Sequence, residues 1–312
     1  MGPDRLQMQR LEYKYLINED SALKVRDFVR YLLELDEYGL DKPNYSYPIH
    51  SVYLDSDNLA TYRNTINGNK NRYKLRLRYY DANPASPVFF EVKRRVNNAI
   101  LKQRGGVRRE AVERILVGQL PGREYLLSDS PKHLAALESF SRHLLELKAR
   151  PKVHVAYLRE AWVSTVDNSV RVTLDREVRV RPHFTSDLPT EMQDYAMPFG
   201  KTVILELKFT GRFPNWFGEL VRSLGLWREC AAKYADGIVC LGEHRLAAGA
   251  ALHNTMEAMP QESAEQTTPI LSARSVDAGY HDVSQSPGRP GFNGSKDRRR
   301  LRKLLATGAA QT

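Results

Sequence analysis

Arg72-Tyr73-Lys74-Leu75-Arg76-Leu77-Arg78-Tyr79 alternates four cations with four aromatic or aliphatic residues. Successive side chains on a β-strand point to opposite faces. The run therefore predicts a strand with Arg72, Lys74, Arg76 and Arg78 on one face and Tyr73, Leu75, Leu77 and Tyr79 on the other. Like charges on one face repel unless water or an anion lies against them. The solvated side of an antiparallel sheet meets that need, and so does an enclosed polar space.

The pattern recurs. Glu12-Tyr13-Lys14, Glu91-Val92-Lys93 and Glu206-Leu207-Lys208 each set a carboxylate two residues before a lysine inside an apolar stretch. Tyr157 with Arg159, and Arg171 with Thr173 and Asp175, repeat the alternation on two further predicted strands. The apolar partners need a covered face, while Lys, Arg and Glu are rarely buried unless paired. A sheet closed into a barrel satisfies both, because inward and outward residues alternate on every strand. The reading is a lumen lined by Lys and Arg with a few acids among them. Such a lumen suits a polyanion, and the acids suit a hard divalent cation bound through oxygen. Parity places Arg72, Lys74, Arg76, Arg78, Lys93 and Glu206 in one shared cavity.

The chain has 312 residues and a formal net charge of +10, so it can bury a sizeable core and favours anionic partners. Its two cysteines, Cys230 and Cys240, make neither a disulfide framework nor a metal site and fit a reducing cytosol. No stretch approaches the ~20 apolar residues of a membrane span, and residues 1–10 carry no apolar signal core. A cytoplasmic location is the expectation. There is no Walker A motif, and the eight histidines lack metal-ligand spacing.

Along the chain, a strand over 10–17 leads through Asn18, Glu19, Asp20 and Ser21, which have helix-start chemistry, into a helix to about residue 35. A Pro/Tyr loop (41–48), a strand (51–55), a short helix (57–66) and an Asn67-Gly68-Asn69 turn precede the cationic strand. Asn83-Pro84-Ala85-Ser86-Pro87 predicts a hairpin to the strand holding Glu91. Residues 107–150 read as mainly helical, strands return near 152–161, 169–181 and 202–209, and helices follow at 214–224 and 231–244. From about residue 248 the chain turns rich in Ser, Gly, Pro, Gln and Ala, and 296–303 form a basic run. The expected organisation is a folded domain over 1–247 and a disordered basic tail over 248–312. That tail is either a solvated extension or a contact for nucleic acid, an anionic membrane surface or the polyanion itself. Deleting residues 250–312 is expected to leave the melting temperature and the reaction nearly unchanged; a large drop in melting temperature would show that the tail docks.

Taken in order, eight short motifs resemble the VTC domain. They are Glu12-Tyr13-Lys14-Tyr15; Ser51-Val52-Tyr53-Leu54-Asp55 with Leu59 and Tyr62; Arg76-Leu77-Arg78-Tyr79; Glu91-Val92-Lys93; Tyr157-Leu158-Arg159; Arg171-Val172-Thr173-Leu174-Asp175; Leu205-Glu206-Leu207-Lys208; and Ala232-Lys233-Tyr234. The VTC domain is the polyphosphate polymerase branch of the triphosphate tunnel metalloenzymes, related to the CYTH domains. The resemblance covers about residues 8–245, and the ordered set carries it rather than any single motif.

The resemblance implies an α+β fold, a closed antiparallel eight-stranded β-tunnel with helices packed outside. It implies that Lys14, Arg76, Arg78, Lys93, Arg159 and Lys233 contact phosphate and carry catalysis, and that Glu206 holds Mn²⁺ or Mg²⁺. Arg72, Lys74, Tyr157, Arg171 and Lys208 are expected to bind substrate along the same walls. Hydrolase branches of the superfamily begin with E-x-E-x-K. Here Arg10 stands at the first acid and only Glu12 remains, which resembles the polymerase branch and argues against a two-metal hydrolytic site.

Some roles stay open at this stage. Glu12 either supports a metal or pairs with Lys14, and Glu91 is either a ligand or the partner of Lys93 or Arg76. Asp175 either binds metal or orients Arg171 or Arg159. Lys208 faces the lumen or its rim, and Tyr157 packs or touches phosphate. The expected function is metal-dependent transfer of the ATP γ-phosphoryl to a growing polyphosphate chain. The alternatives are an inorganic or nucleotide triphosphatase and a non-catalytic polyphosphate-binding module. ATP and polyphosphate are the expected partners. A nucleic acid duplex would need an exposed patch or reading helix and is not expected. A vectorial role would require a separate membrane partner.

Overall fold

The computed structural model describes residues 10–97, 99–164 and 169–247. The tail over 248–312 lies outside the described residues. Among the described residues, nine strands form one antiparallel sheet: β1 (Arg10–Ile17), β2 (Glu34–Leu35), β3 (Tyr47–Asp55), β4 (Asn71–Tyr79), β5 (Val88–Val96), β6 (Ala99–Val107), β7 (Arg150–Val163), β8 (Val170–Pro182) and β9 (Val203–Thr210). The order is β1-β9-β8-β7-β3-β4-β5-β6, and the short β2 pairs with the end of β7 beyond β3. The α+β class stands, but the sheet is not closed. Barrel closure needs a last ladder with strands ~4.8 Å apart, and no such ladder joins β1 to β6 among the described residues. The sheet curls until these edges approach within 8 Å at their Cα atoms. A side-chain bond spans the seam instead: Lys93 of β5 donates to Glu12 of β1 at 3.2 Å.

Strand parity sorts the two faces. The helices include α1 (Glu19–Val29), α2 (Ala60–Ile66), α3 (Val112–Leu116), α4 (Pro131–Leu147) and α5 (Asn215–Ser223), and the outer face is apolar and carries α1, α4 and α5. Leu75, Leu77, Phe90 and Val92 pack with Leu137, Phe140 and Leu144 of α4, and the Phe90 and Phe140 rings meet edge-on at 4.9 Å. Tyr15, Val172, Leu205 and Leu207 pack with Ala22, Val25 and Val29 of α1 and Phe217 of α5. The helix start read at Asn18 is a cap: its side chain accepts from the Ser21 N–H at 2.8 Å. The helix ends at Val29 rather than near 35, because Leu33 enters the core and Glu34–Leu35 pair with β7.

The inner face carries the charged rows and one apolar end. There Tyr47, Tyr53, Val153, Val155, Tyr157 and Val180 pack with Tyr234, Ala235 and Ile238 of α6 (Lys233–Leu241). The strand β6 was not foreseen, since Gly105-Gly106 and the polar Lys102-Gln103-Arg104 break an apolar alternation. Those glycines serve close packing: a Cβ at Gly105 would collide with Leu137 of α4, and one at Gly106 would lie 2.6 Å from Leu127.

A buried polar cluster on the outer face sets an acid limit. His50 Nδ1 of β3 and His154 Nε2 of β7 are 3.2 Å apart, Tyr79 Oη lies 3.3 Å from the same Nε2, and the His183 ring packs on His154. All three histidines are buried. Burial, then the Arg109 charge, pushes His50 down to about 4, with Asp81 opposing. Burial, His50, His183 and Arg181 together push His154 lower still. Below about pH 6.5 the unfolded chain takes up protons that the fold refuses, so stability is intact above that pH and lost as it falls toward 4. At pH 5, His50 alone is expected to cost roughly 2 kcal/mol. Urea midpoints at pH 7 and pH 5 measure this; equal midpoints would contradict it.

Candidate functional site

The E-x-K strands fold against one another. β1 and β9 run antiparallel in a register that sets Lys14 opposite Glu206 and Glu12 opposite Lys208. Each lysine thus faces the other strand's acid. The same geometry sets Arg76 opposite Glu91, Glu91 opposite Arg104, and Arg159 opposite Asp175. Opposed residues on one face stand ~5 Å apart at Cβ, so these pairs close without distortion.

Three buried carboxylates act as hubs. Glu206 meets Lys208 at 2.6 Å, Lys14 at 3.1 Å, Lys233 at 3.4 Å and Arg159 at 3.5 Å. Asp175 accepts from Arg159 at 2.7 Å and from Lys233 at 2.6 Å. Glu91 meets Arg76 and Lys102 at 2.6 Å each and Arg104 at 3.3 Å. Glu12 joins the two sides of the seam, meeting Lys14 and Lys93 at 3.2 Å each. Tyrosines carry the network across the floor. Tyr157 accepts from Arg78 at 3.1 Å and lies under the Lys233 ammonium, while Tyr53 accepts from Arg76 at 3.1 Å.

Lys233 comes from the first turn of α6, and that turn is fixed by Asp55 at the end of β3. Asp55 is fully buried and accepts from Thr61 N at 2.9 Å, Thr61 Oγ1 at 2.8 Å, Tyr62 N at 3.0 Å and Tyr234 Oη at 2.8 Å. Tyr234 also stacks on Tyr53 at 4.7 Å. The Tyr53-Leu54-Asp55 stretch therefore sets the position of the next helix's lysine.

The electrostatics follow the crowding. Burial alone would raise the Glu206 carboxyl, but Lys14, Lys208, Lys233 and Arg159 hold it well below the usual range. Burial pushes Lys208 and Lys74 down to about 8 each. At Tyr53 burial is outweighed by Arg76, Lys74 and Arg78, which bring the phenol down to about 8. Cations exceed acids on this face, which is a strong field for an anion.

Glu206 and Glu12 are the acids expected to meet a divalent ion. Among the described residues no group of three or more His, Cys, Asp or Glu could hold a metal ion. Lys14 meets one oxygen of Glu12 and one of Glu206, Lys233 meets that same Glu206 oxygen, Lys208 and Arg159 meet the other, and Lys93 meets the second oxygen of Glu12. The residues do not fit a resident, all-protein metal centre.

Of the sequence-selected residues, Glu12, Lys14, Arg76, Arg78, Lys93, Tyr157, Arg159, Glu206, Lys208 and Lys233 fall in this connected face. Lys74 shares it, with its ammonium 5.8 Å from the Tyr234 ring. Arg171 is turned to Asp36 and Tyr47. Arg72 lies at the mouth, donating to the Asn69 carbonyl. Lys102 and Arg104 were missed, although their i, i+2 spacing on β6 is the alternation that marked the other strands.

The model of the VTC domain matches residues 9–241, most of the chain. The chain belongs to the VTC domain family. No curated protein matches this VTC domain. A similar solved structure is the PH1819 protein from Pyrococcus horikoshii OT3, at 14% identity and a TM-score of 0.37, covering 75% of this chain and 97% of that chain. No helix among the described residues is long and apolar enough to cross a membrane.

Proposed function

We propose that this VTC domain is a polyphosphate polymerase that transfers the ATP γ-phosphoryl to a polyphosphate chain held along the inner face of the curled sheet. The observation that carries the reading is the excess of cations around three buried carboxylates on one face. The curled sheet is the tunnel wall in this reading, with the Glu12–Lys93 contact across its seam.

Phosphoryl transfer asks a protein for positioning and charge stabilisation more than for covalent chemistry. A terminal oxygen of the bound chain attacks the γ-phosphorus. A new P–O bond forms, the bridging bond to the β-phosphate breaks, and ADP leaves with that electron pair. Arg76, Arg78 and Arg159 can each clamp phosphate oxygens with two parallel N–H bonds. Lys14, Lys93, Lys208 and Lys233 supply point charges. Glu91, Asp175 and Glu206 hold these cations in place before substrate arrives, and phosphate oxygens compete for the same N–H donors. A divalent ion, Mn²⁺ or Mg²⁺, enters as part of the nucleotide substrate. Such ions are commonly bound through one or two carboxylates plus substrate phosphates, and Glu206 and Glu12 are the carboxylates on this face that would meet it.

The test uses ATP labelled in the γ-phosphoryl, with Mn²⁺ or Mg²⁺. Label in long polyphosphate is expected. Free phosphate without polymer would mark a triphosphatase. No turnover, with tight polyphosphate binding, would mark a binding module.

A further inference from the structure

Beyond the Arg76–Glu91 pair, the β4–β5 ladder continues the cationic face outward with no acid of its own on that face. In the β4–β5 ladder Arg76 faces Glu91, but the next inner-face pair is Lys74 opposite Lys93, and the one after is Arg72 opposite Arg95. Each step outward is roughly 7 Å along the strands. Like charges directly opposed across a ladder are destabilising. The last pair opens into a cavity of about 400 Å³ lined by Gly68, Lys70, Arg72, Arg95 and Asn97, with no carboxylate among these lining residues. Each guanidinium is oriented by a backbone carbonyl: Arg72 donates to the Asn69 carbonyl, and Arg95 Nε to the Asn97 carbonyl at 2.8 Å. Each of these bonds uses one of the five N–H donors of a guanidinium. Arg95 and Lys70 are exposed and Arg72 is half-buried.

We propose that Lys70, Arg72 and Arg95 form a mouth site that holds a stretch of polyphosphate chain outside the ion-paired face, continuous with it through Lys74 and Lys93. The inference rests on the polyphosphate reading above and adds a location. The ion-paired face accommodates a short chain, and a longer one runs out over the mouth. Inside, each phosphate must displace a carboxylate from its cations. At the mouth, none of the lining residues is a competing carboxylate.

The test compares tripolyphosphate with a polyphosphate of several tens of phosphates, binding the full chain over a range of salt concentrations. Each neutralised phosphate contributes about 0.7 to the slope of log affinity against log salt for a single-stranded polyanion. K70A/R95A is therefore expected to reduce the slope for the long chain by about 1.4 and to leave the tripolyphosphate slope nearly unchanged. The charge-retaining K70R/R95K should keep the wild-type slope. An unchanged slope in K70A/R95A, an equal loss for both ligands, or a loss in K70R/R95K would each overturn the mouth site while leaving the inner face intact. Failure of the wild type to bind either ligand would overturn the polyphosphate reading, and the mouth site with it.

Discussion

Lys233→Ala and Arg76→Ala are each expected to lower polymer yield from ATP by at least about a hundredfold, with the protein still folded. Removing one preorganised donor from a transferring group commonly costs 10²–10³ in rate. Lys233 reaches Asp175 at 2.6 Å and Glu206 at 3.4 Å. Its loss leaves Asp175 bonded to Arg159 at 2.7 Å, so no buried acid is stranded. Arg76 is similar, because Glu91 keeps Lys102 at 2.6 Å and Arg104 at 3.3 Å. Polymer yield beside the melting temperature of each variant checks this. Near-wild-type yield from either would remove that residue from the transfer step.

Glu206→Gln is expected to act in opposite directions on the free and bound protein. The substitution keeps the side-chain shape and removes the charge that holds four cations, Lys14, Lys208, Lys233 and Arg159. Taking one partner from a buried ionic group commonly costs 3–5 kcal/mol, so the free protein should lose about 3 kcal/mol. Polyphosphate affinity should rise, because the freed cations no longer have a protein acid to satisfy. Turnover should fall, since the carboxylate that would meet the nucleotide's divalent ion is gone. Denaturant midpoints with and without polyphosphate measure the first two effects: a lower midpoint that polyphosphate restores is the expected pattern. Weaker polyphosphate binding than wild type would mean that Glu206 supports the anion rather than competing with it.

Much of the inner face was legible because β-strands have period two. Once Glu12-Tyr13-Lys14 and Glu206-Leu207-Lys208 were strands, parity alone put their acids and lysines on one face. What parity could not give was register, and register decides that Lys14 meets Glu206 rather than some other acid. Nor could it rank the carboxylates. Glu91 read as a partner for Lys93 or Arg76, and it pairs with Arg76, yet its further partners Lys102 and Arg104 come from β6, which the glycines hid. Asp175 orients Arg159, one of the two roles open to it, and Tyr157 both packs and accepts from Arg78. The bond from Tyr234 to Asp55, which sets the position of Lys233, joins residues 179 positions apart, beyond any local pattern. Closure depends on how far a sheet curls, which accumulates over all strands and has no signature in any one of them.

The central claim is that a polyphosphate lies along the inner face among these cations. A crystal structure of the protein with tripolyphosphate tests it most directly. The account predicts phosphate oxygens within hydrogen-bonding distance of Arg76, Arg78, Arg159 and Lys233, with at least one bond to Glu206 or Glu91 exchanged for a bond to phosphate. Tripolyphosphate bound only on the outer face, with the Glu206 and Glu91 pairs unchanged, would contradict it.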